Sequence, residues 1–83
     1  MGSKTIKQAA ADRILEICAQ RGIKPNELAT RSGVTPSSVY SMLDPKRKEV
    51  TVDLLKKLCD GLDISLRDFF DNAIFNDIEP EIK

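Results

Sequence analysis

The chain has 83 residues and a mass of 9.2 kDa, which corresponds to one small domain. Its composition, 41% apolar and 31% charged, is that of an ordinary globular protein, and no apolar run approaches the ~20 residues of a membrane helix. The formal net charge is zero, because thirteen basic residues balance thirteen acidic ones. Since no secretory signal is recognisable, we expect a cytoplasmic protein with no membrane partner.

An enzyme or a metalloprotein is disfavoured by the residue types that are missing. The chain has no histidine, which is the usual general base near neutral pH and the commonest transition-metal ligand. Its two cysteines, Cys18 and Cys59, are far apart and lie in apolar helical stripes, where we expect them to be reduced core residues. We therefore predict no catalytic residue, metal, cofactor or small-molecule ligand.

Apolar residues recur at steps of three and four along most of the chain, and the alternation typical of strands is missing. This pattern predicts an all-α domain of five short helices, at about residues 5–21, 25–32, 35–43, 51–62 and 65–70. Gly22 and Gly33 are expected to end the first two helices, and the side chains of Thr35, Thr51 and Ser65 to cap the last three.

The third and fourth helices each have an expected core face. In the third helix, that face comprises Val39 and either Met42 or Leu43. Asp63 stands where the fourth helix stops, in a left-handed conformation that aspartate tolerates at some cost. The predicted apolar stripe of the fourth helix consists of Val52, Leu55, Leu58, Cys59 and Leu62.

The zero net charge conceals a polarised distribution. Residues 1–59 contain eleven basic and six acidic residues, a charge of +5, whereas residues 60–83 contain two basic and seven acidic residues, a charge of −5. A basic body with an acidic end can present its basic side to a polyanion. The densest basic run is Lys46-Arg47-Lys48, which follows Asp44-Pro45.

The residues around Gly33 fit two helices that cross steeply through a tight turn. Such a crossing requires a small residue where the backbones approach, a positive φ in the turn and branched apolar residues on the second helix. The chain supplies these in order, as Leu28, Ala29, Gly33, Val34, Val39 and Met42. The segment resembles the helix-turn-helix of Cro/CI-type (XRE family) DNA-binding proteins such as phage repressors, and the similarity covers about residues 10–70, including the fourth and fifth helices.

The resemblance implies a lambda-repressor-like DNA-binding domain whose helix-turn-helix is formed by helices 2 and 3. The third helix corresponds to the recognition helix, which enters the major groove. The expected base contacts are Pro36, Ser37, Ser38, Tyr40 and Ser41. The expected phosphate contacts are Lys24, Asn26, Thr35, Lys46, Arg47 and Lys48. Alternatively, the serines form only a solvated helix face and Tyr40 packs partly on a neighbouring helix.

Three departures from the family's pattern bear on these contacts. Pro25 stands where many relatives have a glutamine that supports base and phosphate contacts, and Asp44-Pro45 replaces the usual Asn-Gly turn. Cys18 and Leu43 stand where many relatives have an arginine and an acid in a buried ion pair. Because the recognition helix contains no Arg, Gln or Asn, direct base readout is expected to be weak, with specificity supplied by DNA shape or by residues outside this helix that the sequence does not identify.

By composition, the chain divides into a DNA-binding domain at residues 4–71 and an acidic tail with apolar residues at 72–83. Two arrangements of the tail are open. Its apolar residues Ile74, Phe75 and Ile78 fold back on the domain as a lid, or they form a homodimer contact together with Phe69 and Phe70. A dimer would present two recognition helices about 34 Å apart to two half-sites of DNA.

The function predicted from these features is a sequence-specific double-stranded-DNA-binding transcriptional regulator, a repressor of bacterial or phage type. The alternative is a protein–protein interaction module on the same fold, antitoxin-like or an adaptor. Lys46, Arg47 and Lys48 distinguish the two, since a loop facing phosphates needs their charge and a protein groove does not.

Overall fold

The computed structural model describes residues 4–82, and its elements are α-helices followed by one 3₁₀ turn. Lys83, the last residue of the predicted tail, lies outside this range. The helices are α1 (Ile6–Arg21), α2 (Pro25–Ser32), α3 (Pro36–Leu43), α4 (Val52–Gly61) and α5 (Leu66–Phe70), and the 3₁₀ turn covers Ala73–Phe75. The expected all-α class with five helices is therefore confirmed. None of the helices in this range is long and apolar enough to cross a membrane.

Short-range side-chain and backbone contacts explain where most helices begin and end. The hydroxyls of Thr35, Thr51 and Ser65 each accept a hydrogen bond from the backbone N–H three residues later, as expected. Gly22 and Gly33 end α1 and α2 with φ of 67° and 70°, the left-handed conformation that favours glycine. A capping box that the sequence analysis did not identify begins α1 at its N-cap threonine.

The core is formed where α2 packs against α3 and α4 and where α1 packs against α3 and the 3₁₀ turn. Its buried members include Ile14, Cys18, Leu28, Val39, Met42, Leu55, Leu58, Cys59, Leu62 and Phe69. Val52 departs from the predicted stripe, because its side chain is 73% exposed. It lies in the first turn of α4 and borders an open groove with Phe70 and Glu81 instead of reaching the core.

Three basic side chains of α1 bind backbone carbonyls at or just after the C-terminal ends of other helices. Lys7 Nζ donates to the Asp44 carbonyl, just after α3 (2.5 Å). Arg13 donates through Nε to the Phe69 carbonyl (2.8 Å) and through Nη2 to the Asp68 carbonyl (3.0 Å), both in α5. Arg21 Nη1 donates to the Leu62 carbonyl, just after α4. A helix C-terminus has unpaired carbonyls and partial negative charge, which attract cations. The charged groups of these three residues therefore bind backbone carbonyls of this chain.

The segment after α5 folds back along α1 within the same chain. The Asn72 amide donates to Glu16 Oε1 (3.1 Å), and the Glu79 backbone N–H donates to the Lys4 carbonyl (2.8 Å). Phe75 packs against the core, with ring centroids 5.7 Å and 4.9 Å from those of the two α5 phenylalanines. This is the fold-back arrangement of the two that the sequence left open.

Candidate nucleic-acid interface

The helix-turn-helix unit consists of α2, the turn at Gly33 and α3. The Val34 N–H donates to the Ala29 carbonyl (3.1 Å), which closes the turn over the end of α2. Leu28, Ala29 and Val39 have no exposed surface, so the two helices are locked together on their inner faces. This packing leaves one face of α3 directed away from the core.

The outer face of α3 carries the five residues predicted to contact bases. Pro36, Ser37 and Tyr40 are exposed, Tyr40 to 50%, whereas Ser38 and Ser41 are half-buried. At 50% exposure, the Tyr40 ring is accessible to DNA and is also compatible with partial packing on a neighbouring helix. The face is thus formed by hydroxyl groups, one proline and one phenol, with no charged or amide side chain.

A cluster of hydroxyls covers the N-terminus of α3. Thr35 Oγ1 accepts from the Ser38 N–H (3.3 Å) and lies 3.1 Å from Ser37 Oγ and 3.0 Å from Ser38 Oγ. The hydroxyl of Thr35, which was predicted to contact a phosphate, therefore serves as the N-cap of α3. Its contacts with the two serines hold their hydroxyls at the N-terminal end of the helix, where base contacts are expected.

The segment after α3 is a hydrogen-bonded turn centred on Pro45. The Arg47 N–H donates to the Asp44 carbonyl (3.0 Å), and the Lys46 N–H donates to Asp44 Oδ1 (2.9 Å). Aspartate at the first position and proline at the second are favourable for such a turn. Asp44-Pro45 therefore organises this segment, in place of the Asn-Gly turn of many relatives.

The basic loop (residues 46–48) continues the exposed face of α3. Lys46, Arg47 and Lys48 are all exposed, and no ion pair joins them to another part of residues 4–82. Arg47 shares a shallow pocket with Ser38 and Ser41. Hydroxyls and cations thus form one continuous surface.

The start of α2 carries the remaining two predicted phosphate contacts. Lys24 is the N-cap residue of α2, and its exposed side chain makes no capping bond. Asn26 is also exposed, and its backbone carbonyl accepts from the Thr30 hydroxyl (3.2 Å). Pro25 occupies the first turn, where its missing N–H leaves no hydrogen bond unmade.

Only some of the basic side chains in the structure are free of partners within the fold and thus available to contact phosphates. Lys4, Arg31 and Lys56 form ion pairs with Asp12, Glu27 and Asp60, in addition to the three engaged cations of α1. Within residues 4–82, the basic side chains with neither an ion pair nor a helix-end contact are Lys24, Lys46, Arg47, Lys48, Lys57 and Arg67. Half of them lie in the basic loop, so the available positive charge concentrates beside α3.

Lys7, whose ammonium donates to the Asp44 carbonyl at the start of the basic loop, is a buried cation that the sequence pattern did not single out. It is 1% exposed, and burial lowers the pKa of its ammonium, although the nearby Asp44 carboxylate raises that pKa in part. The signal was present in the spacing, because Lys7, Ile14 and Cys18 lie on one helical face. By sequence alone, Lys7 enters only the charge count of residues 1–59.

The residues predicted to form a dimer contact are only partly available. Phe69 has no exposed surface, because its ring fills the core, so in this structure it offers no surface to a partner chain. Phe70 is 40% exposed, and Ile74, Phe75 and Ile78 are half-buried by the fold-back of the tail. Of the five, Phe70 offers the most apolar surface.

The two cysteines lie within the core and are not joined in a disulfide. Burial raises the pKa of both thiols above the ordinary value. In the part of the chain from 4 to 82, no group of three potential ligand side chains could hold a metal ion.

This geometry has counterparts among known proteins. The family model of the Cro/C1-type HTH DNA-binding domain matches residues 13–72. The crystal structure of the prophage Lp1 protein 11 is similar to this chain, with a TM-score of 0.79 and 31% sequence identity over 90% of this chain and 99% of that one. No curated protein sequence gives a significant match. The chain belongs to the Cro/C1-type helix-turn-helix DNA-binding family.

Proposed function

We propose that this DNA-binding regulator is a repressor that recognises a specific double-stranded DNA operator by inserting α3 into the major groove. The observation that carries the proposal is the continuity between the exposed face of α3 and the three available cations of the basic loop. The major groove, about 12 Å wide, admits a helix, and a flanking loop then meets the phosphates. The similar solved structure is that of a prophage protein, which supports a protein of phage type.

Within this proposal, the contacts divide by chemistry. Pro36, Ser37, Ser38, Tyr40 and Ser41 face the bases, and Lys24, Asn26, Thr35, Lys46, Arg47 and Lys48 face the phosphates. A serine hydroxyl both donates and accepts, so it discriminates bases less sharply than a bidentate side chain does. Much of the affinity is therefore electrostatic, and DNA shape contributes to the choice of site.

The proposal includes a homodimer that binds two half-sites. Phe70, 40% exposed at the end of α5, supplies its apolar contact together with the exposed parts of Ile74, Phe75 and Ile78. A dimer doubles the number of phosphate contacts and presents two copies of α3 at a spacing of about 34 Å. Sedimentation at tens of micromolar tests this part, and a monomer at that concentration would contradict it.

The function is tested by selecting bound sequences from a random duplex library in gel shifts at low and at moderate salt. We expect an enriched two-fold symmetric motif and a steep loss of affinity as salt rises. Salt-sensitive retention without a motif would contradict specificity, and no retention at low salt would refute DNA binding and favour a protein partner.

Charge variants identify the surface responsible. Replacing Lys46, Arg47 and Lys48 by glutamine should reduce the slope of log affinity against log salt by about 0.9 for each phosphate that the variant no longer neutralises. The matched control is Arg67→Gln, which removes one exposed cation without an ion pair from α5, outside the proposed interface. An unchanged slope in the loop variant, or an equal decrease in the control, would contradict the assignment.

A further inference from the structure

Asp44 connects three parts of the molecule through its own polar atoms. Its N–H donates to the Ser41 carbonyl at the end of α3 (3.3 Å), and its carboxylate accepts from the Lys46 N–H (2.9 Å). Its carbonyl oxygen accepts twice, from the Arg47 N–H (3.0 Å) and from Lys7 Nζ of α1 (2.5 Å). One residue thus joins the recognition helix, the basic loop and the buried face of α1.

The presence of a lysine at position 7 is not explained by stability. Burying an ammonium requires removing it from water, and an apolar side chain of similar length on the same face would avoid that cost. The Asp44 carbonyl would keep the Arg47 N–H as a partner, so no buried polar group would be left unpaired. Lys7 therefore contributes a geometric constraint that the fold itself does not require.

We infer that Lys7 is a positioning residue for DNA binding: its buried ammonium holds the Asp44 carbonyl, and with it the turn that carries Lys46 and Arg47, against the end of α3. The basic loop has no regular secondary structure, and its three cations are exposed. Its orientation relative to α3 therefore depends on the turn at its start. The inference rests on the proposed function, because it concerns the same DNA-binding surface.

The test compares Lys7→Met with the control Arg21→Met. Both variants remove one cation from α1 that binds a carbonyl after another helix, but the partner of Arg21 is the Leu62 carbonyl, on the α4 side of the molecule. Three quantities are measured for each variant. The first is stability in urea, and the second is affinity for the selected operator at a temperature where every variant is folded. The third is hydrogen exchange at the Lys46 and Arg47 amides, which requires no DNA.

For Lys7→Met we expect unchanged or higher stability, affinity lower by about tenfold because the loop must be ordered on binding, and faster exchange at the Arg47 amide. For Arg21→Met we expect lower stability with affinity within about twofold of the starting protein. This split between stability and affinity distinguishes positioning from a merely structural role.

Three outcomes would overturn the inference: a Lys7→Met protein that binds as tightly as the unmodified chain, one that fails to fold, or one whose loop amides exchange at the original rate. If the unmodified protein binds no DNA, the proposed function fails by itself. The exchange measurement then still decides whether Lys7 holds the loop.

Discussion

Replacing Gly61 by alanine should destabilise the protein, although alanine is the better helix former. Gly61 is the last residue of α4 and lies against α2. A Cβ added there would overlap Ser32 Oγ and lie 3.0 Å from both Ser32 Cβ and the Ser32 backbone nitrogen. The hydroxyl can rotate away, but the other two atoms move only if α2 shifts.

The magnitude follows from two opposing contributions. Alanine in a helix is favoured over glycine by up to about 1 kcal/mol, whereas overpacking a close contact costs about 1–3 kcal/mol. We expect a net loss of about 1 kcal/mol, which corresponds to a decrease of roughly 4–8 °C in Tm for a domain of this size. Urea and thermal unfolding followed by circular dichroism measure both values.

Ser32 allows a double-mutant cycle at the same contact. Its hydroxyl oxygen is buried without a hydrogen-bond partner among residues 4–82, so Ser32→Ala should stabilise the protein by about 1 kcal/mol. In the Ser32→Ala background, Gly61→Ala should cost less, because the overlap with the hydroxyl oxygen is gone while the two 3.0 Å contacts remain. A Gly61→Ala protein more stable than its parent, or strictly additive effects in the cycle, would refute the reasoning.

Three further predictions concern the packing of the tail, the contact between α1 and α5, and the two buried cysteines. Phe75→Ala should lower the free energy of unfolding by roughly 2 kcal/mol, because the half-buried ring contacts both rings of α5; an unchanged urea midpoint would contradict docking of the tail. Arg13→Met should cost about 2 kcal/mol, because two carbonyls of α5 lose a charged donor, and a midpoint equal to that of the parent would show that water replaces it. Burial raises the pKa of Cys18 and Cys59, so a thiol reagent at pH 8 should label them only when the protein unfolds, and rapid labelling of the folded protein would contradict this. The free energy of unfolding should also decline above about pH 8.5, because the thiols of the unfolded chain ionise at lower pH than those of the folded chain.

Much of the helix-turn-helix could be predicted because its determinants lie close together in the chain. The bounds of α2 and α3 depend on a proline at the first turn, a threonine cap and a left-handed Gly33, all within a few residues of each other. The same applies to Asp63, which has a φ of 57° where the fourth helix was expected to stop. The Cro/C1-type family was recognisable for this reason.

The hydrogen-bond partners of the basic residues could not be predicted in the same way. Lys7, Arg13 and Arg21 are ordinary cations by local pattern, and their carbonyl partners are 37 to 56 residues away in the chain. Val52 fits the apolar spacing of α4 but lies beside an open groove, since the spacing of one helix does not show where its neighbours end.

By itself, the sequence determined the helices, their caps and the face of α3 that points outward, because these depend on contacts between residues three or four positions apart. Only the tertiary structure decided which cations remain available to phosphates and how the basic loop is held. It also decided that Phe69 belongs to the core and that the tail lies along α1. The physical reason is that a charge or an apolar ring acquires its role from whatever packs beside it, and in this protein those neighbours come from distant parts of the chain.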